Sequence, residues 1–108
     1  MSTFDKREEG FESKFAHDEE LRFKAHARRN KLVGLWAAEK LGMTGPAAES
    51  YASNLVTIDL DQPDSDRVFS QIRKDFDDRG VHQSDHQIRR TLEECGEKAA
   101  AEIMGGRK

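Results

Sequence analysis

The chain has 108 residues, enough for one domain built around one modest core. Hydrophobic residues make up 35% and charged residues 36%, a polar balance that leaves part of the chain outside any core. A net charge of −3 excludes a general attraction to nucleic acid, and the longest apolar-leaning stretch, Leu32 to Leu41, is interrupted by Gly34, Glu39 and Lys40 and falls far short of a membrane span.

The first predicted element is a charged rod. Phe4, Phe11 and Phe15 fall at spacings of seven and four, while Asp5, Lys6, Arg7, Glu8, Glu9, Glu12 and Lys14 fill the positions between them. Ser2 to Asp5 suits a helix start, but Gly10 costs ~1 kcal/mol relative to alanine in a helix interior, and an isolated helix this short is marginal in water. Residues 1–18 are therefore expected to be flexible or partly helical when free and fully helical when bound. Periodicity leaves two readings of the aromatic stripe: it covers an edge of the core, or it enters a groove on a partner.

Nothing breaks a helix between Phe15 and Leu32, and Asp18/Arg22 and Glu20/Lys24 are acid-before-base pairs four apart. This helix is expected to end near Leu41-Gly42, with Leu32, Val33, Leu35, Trp36 and Leu41 as a broad buried face. Pro46 suits the first position of a second helix, whose apolar residues are Ala48, Tyr51, Ala52, Leu55 and Ile58, with Asp61-Gln62-Pro63 as its exit turn. Asp64-Ser65-Asp66 offers an N-cap and first-turn acids to a third helix, with Val68, Phe69, Ile72 and Phe76 as its stripe and Gly80 as its terminator. Ser84-Asp85-His86-Gln87 has the form of a capping box. It opens a fourth helix with Ile88, Leu92, Cys95, Ala99 and Ile103 on one face, Arg89 and Arg90 turned outward, and Gly105-Gly106 at its end. No segment alternates as a strand does. The fold class is all-α, a four-helix bundle over residues 19–108 preceded by the segment 1–18, because short loops favour antiparallel neighbours.

The remaining constellations point away from catalysis. Cys95 is a lone thiol on an apolar stripe, which reads as a small core residue in a reducing compartment. His82 and His86, beside Asp85, lie four apart but straddle a predicted N-cap, so no metal site is expected. His17 and His26 lie on the charged helix. Lys24, Arg28, Arg29 and Lys31 beside Phe23 read either as a holder of phosphate or of an acidic partner, or as a solvated face. Asp59, Asp61, Asp64 and Asp66, with Asp75, Asp77 and Asp78, form an acidic region explained by capping and charge repulsion. Gly42-Met43-Thr44-Gly45-Pro46 lacks the phosphate-loop pattern, and no nucleophile sits beside a base, so the chain is not expected to be an enzyme. With no apolar leader at its start, it is expected to be cytoplasmic.

Three runs carry a family resemblance: Phe4 to Glu8, Phe11 to Asp18, and Phe23 to Leu32 followed by Gly34-Leu35-Trp36-Ala37-Ala38. With Ser84 to Arg90, they make the chain resemble the ζ subunit, the inhibitor protein of α-proteobacterial F1Fo-ATP synthase, over nearly its whole length. The resemblance implies a regulatory inhibitor that blocks ATP hydrolysis by inserting its N-terminal helix into a catalytic α/β interface near γ. Its partners would be the α, β and γ subunits of the F1-ATPase, and it would sit peripherally at the inner membrane and be monomeric when free. The contact residues would be Phe4, Phe11 and Phe15 in apolar recesses, with Lys6, Arg7 and Lys14 facing carboxylates. No cofactor is required, although the family implies weak ATP or ADP binding at a site the residues do not locate. The alternative is a small helical sensor of adenine nucleotides without direct inhibition.

Overall fold

A computed structural model describes residues 2–61 and 66–105, with side chains described at 19–60 and 66–103. Its helices are α1 (Ser2–Lys40), α2 (Gly45–Asp61), α3 (Arg67–Arg79) and α4 (Asp85–Gly105), and there is no strand among the described residues. The all-α reading and the four predicted helices are borne out.

Local chemistry sets the helix ends. The α1–α2 turn closes with the Met43 amide donating to the Ala38 carbonyl at 2.8 Å, and Gly42 and Gly45 hold φ of 83° and 59°. Gly80, at φ 68°, ends α3 as expected, and the Val81 amide returns to the Phe76 carbonyl at 2.8 Å. The capping box at the start of α4 is fully formed: the Gln87 amide donates to Ser84 Oγ at 3.1 Å, and the Ser84 amide donates to Gln87 Oε1 at 2.9 Å. Asp66 occupies the N-cap of α3 but makes no side-chain cap bond. Its carboxylate accepts from Arg89 at 3.1 Å instead, because Arg89 lies over the Phe69 ring, 3.9 Å from its centroid, and brings its charge within reach. Asp64 and Ser65, the other residues of the expected cap, lie outside the described residues.

Each helix runs antiparallel to its neighbour in the chain. Gly34 faces Ala52 and His26 faces Asp59 across α1–α2, Tyr51 reaches Asp75 across α2–α3, and Arg73 and Asp66 of the third helical stretch meet Asp85 and Arg89 of the fourth. Helix α1 packs chiefly on α2 and α4, and α3 closes the bundle opposite it. Val33 and Ala37 from α1, with Leu41 just after its end, meet Leu55 from α2, Val68, Ile72 and Phe76 from α3, and Ile88 from α4 in one core. Trp36 stacks obliquely on Phe76 with ring centroids 5.6 Å apart. Leu32, Leu35 and Trp36, expected on the buried face, are half-buried, and the small residues Ala37 and Ala38 take the fully buried places.

That substitution of small for large follows from how close the helices come. A Cβ built on Gly34 would lie 2.6 Å from the Ala52 Cα, a backbone atom that no rotamer change can move away. Gly34 is thus a contact point between α1 and α2, not the interruption of an apolar run that its sequence position suggests. On the other flank, the aliphatic stem of Arg29 lies over Gly96 of α4.

Polar bonds finish the seams. The Tyr51 hydroxyl donates to Asp75 Oδ2 at 2.6 Å, and Gln71 donates to the other carboxylate oxygen at 3.0 Å. Arg73 ties the α3–α4 loop by donating to the Gln83 carbonyl at 2.7 Å and to the Asp77 and Asp85 carboxylates.

Gly34→Ala should lower stability by about 1–3 kcal/mol through overpacking, read as a lower thermal midpoint. A midpoint equal to or above that of the parent would contradict the close approach. Burial, then the bond to Asp75 and its charge, push the Tyr51 hydroxyl far above the ordinary tyrosine range. Because the folded state favours the neutral phenol, its contribution is whole below pH ~10 and is lost as pH rises beyond it. As Tyr51 is the one tyrosine of the sequence, the ultraviolet signal of tyrosinate should stay absent above pH ~10 until the bundle unfolds.

Candidate functional site

The six residues singled out in the N-terminal segment, Phe4, Lys6, Arg7, Phe11, Lys14 and Phe15, all belong to α1, and their side chains lie outside the described residues. What the structure adds is the way that segment joins the bundle. Helix α1 passes through residues 18 and 19 without a break and is 39 residues long, against 17 for α2. At 1.5 Å per residue, α1 is roughly 58 Å long and α2 roughly 26 Å. The segment and the longest wall of the core are therefore one element.

Side-chain description begins at the root of this segment, and there the surface is unusual. A groove of about 400 Å³ runs along the α1–α2 seam. Phe23 and Ala27 supply its apolar wall on α1, and Val56 and Leu60 face them from α2. Phe23 is 56% exposed and Leu60 46% exposed, the large apolar side chains most open to solvent among the described residues. Glu19, Arg22, His26 and Asp59 give the same groove a charged lining.

Its floor leads into a buried polar cluster that the sequence pattern did not reveal. Asp59 is 5% exposed and Asn30 is 0% exposed, the buried polar residues among those described. Arg29 donates through Nε and Nη2 to Asn30 Oδ1, at 3.0 and 2.9 Å, and its Nη2 lies 4.0 Å from Asp59 Oδ1. His26 Nδ1 is 3.7 Å from the other Asp59 oxygen, so the carboxylate faces two basic groups of α1. Asn30 Nδ2 is buried without a hydrogen-bond partner. Asp59, read from sequence as part of an acidic region governed by repulsion, is instead the polar anchor of α2 on α1. A signal was present: Ala52, Leu55 and Asp59 step by three and four along the buried stripe of α2, and Asn30, Val33 and Ala37 do the same on α1.

The basic run beside Phe23 does not converge on one anion. Arg28 pairs with Glu102 of α4 at 2.8 Å, Arg29 turns inward to Asn30 and Asp59, Lys31 pairs with Glu49 of α2 at 3.1 Å, and Lys24 is exposed. Burial, outweighing the nearby Lys98 and Arg29, pushes the Cys95 thiol up, which disfavours the reactive thiolate. Among the described residues no three His, Cys, Asp or Glu side chains form a metal-binding group, and no helix is long and apolar enough to cross a membrane.

Asp59→Ala should destabilise the bundle by about 1–3 kcal/mol, since it leaves the inward-facing Arg29 and His26 without their carboxylate. Denaturant unfolding checks this, and an unchanged midpoint would reduce Asp59 to a bystander.

Comparison with known proteins covers almost the whole chain at the level of the family. The family model described as ATPase inhibitor subunit zeta matches residues 1–102. A comparison with curated proteins found no match.

Proposed function

The chain belongs to the ATPase inhibitor subunit zeta family, and from that premise we propose that it restrains ATP hydrolysis by F1Fo-ATP synthase through insertion of the N-terminal part of α1 into a catalytic α/β interface near γ. The observation that carries this reading is the unbroken helix from Ser2 to Lys40. A helix that enters a rotary enzyme must resist being pushed out or bent, and here it is anchored along its C-terminal half by α2 and α4.

Sequence chemistry supplies the contacts. Phe4, Phe11 and Phe15 at helical spacing offer an aromatic face, and Lys6, Arg7 and Lys14 offer cations to carboxylates around the recess. The bundle, too wide to follow the segment, serves as a stop on the depth of insertion. The protein works as a regulatory subunit, not as a catalyst, and is peripheral to the membrane through the complex it inhibits.

The dispersal of Arg28, Arg29 and Lys31 to different partners favours this brake over a nucleotide sensor, which would gather cations around one phosphate. Calorimetric titration with ATP and ADP separates the two: tight nucleotide binding without inhibition of the F1-ATPase would favour the sensor.

Deleting residues 1–17 should abolish inhibition of the F1-ATPase while the remaining helices keep a cooperative thermal transition. Full inhibitory strength in the truncated chain would overturn the insertion mechanism.

A further inference from the structure

We infer that the groove between α1 and α2 is a second docking surface for the same ATPase, occupied by a segment of the enzyme that presents an apolar side chain beside a carboxylate. The inference rests on the insertion reading and extends it from the N-terminal segment onto the bundle.

The first ground is apolar exposure. Phe23 and Leu60 come from different helices, yet both open onto this one groove. Each retains about half its surface in water although Ala27 and Val56 offer apolar surface beside them in the same groove. Such convergence fits a single side chain inserted from outside.

The second ground is continuity along α1. Phe23 follows Phe15 by eight residues, roughly 12 Å of helix rise, so a partner surface that holds the segment to Phe15 meets the groove within about two turns. In the sequence, Arg22 and His26 of the groove stand seven and eleven residues after Phe15, the spacing at which the stripe Phe4, Phe11 and Phe15 itself repeats.

The third ground is charge. Asp59 is engaged by His26 and Arg29 from within, which leaves its wall close to neutral. Arg22 lies on the rim and joins no ion pair in the described structure, so an incoming carboxylate finds its cation there. Glu19, one turn nearer the segment, disfavours a carboxylate at that end and so sets where the acid of the occupant sits.

Inhibition of the F1-ATPase from the native source by full-length variants tests the inference. Phe23→Ser/Leu60→Ser and, separately, Arg22→Glu should each raise the concentration for half-inhibition tenfold or more, with thermal midpoints close to that of the parent because all three side chains lie at the surface. Phe4→Ser/Phe11→Ser/Phe15→Ser tests the insertion reading in parallel. If that variant loses inhibition while both groove variants match the parent, the groove is not a docking surface and insertion stands. If all the variants match the parent, both readings fail. Light scattering of the parent adds a further outcome: a dimer that Phe23→Ser/Leu60→Ser dissolves would assign the groove to a second copy and overturn the inference.

Discussion

The close approach of α1 and α2 at Gly34 and Ala52 is the constraint on which the rest of the bundle depends. With a Cβ of Gly34 forbidden by the Ala52 backbone, the two helix axes settle at a separation that large side chains do not permit. Ala37 and Ala38 are then buried completely, and the larger Leu32, Leu35 and Trp36 move to the flanks, where Trp36 reaches Phe76 of α3. The same closeness draws Asp59 within reach of His26 and Arg29, so the apolar contact and the polar cluster share one cause.

The polar cluster costs stability that an apolar replacement would not, since the Asn30 amide nitrogen is buried without a partner and the ion pairs to Asp59 are long. Its effect is specificity of register. A slip of α1 along α2 by one turn would break the present pairing of Asp59 with His26 and Arg29, whereas an all-apolar seam would tolerate such a slip. Register matters here more than in most bundles, because it fixes how much of α1 stands beyond its neighbours.

Much of this was legible in the chain because punctuation and periodicity agree. Gly80 and the Ser84-Gln87 box are local signals that tertiary packing left untouched, Pro46 falls one place inside α2, which begins at Gly45, and the stripes Val68-Ile72-Phe76 and Ile88-Ala99 face the core as their spacing requires. The failures share a different origin. Gly34 looked like a break because a glycine within an apolar run carries no sign of what will press against it. Asp59 looked like one acid among several because charge patterning along the chain does not reveal which acid stands on a buried stripe. Asp64-Ser65-Asp66 reads as the cap and first-turn acids of α3, but at Asp66 the stacked Arg89 arrives from another helix and claims the carboxylate. The groove was invisible for the same reason: Phe23 and Leu60 are 37 positions apart and meet only through the antiparallel pairing of their helices.

The continuity of α1 also has a mechanical meaning. A load pulling on its N-terminal end runs along the helix axis and reaches the bundle as shear across the α1–α2 and α1–α4 seams. In that geometry the Gly34–Ala52 contact, the Asp59 cluster and the Arg28–Glu102 pair are strained together, not peeled apart one after another. A sideways load meets no such parallel resistance and acts first at Leu21, the outermost buried residue of α1 among the described side chains. The molecule is thus stiff to withdrawal along its own axis and compliant to tilting, an anisotropy set by sharing one helix between its reach and its anchor.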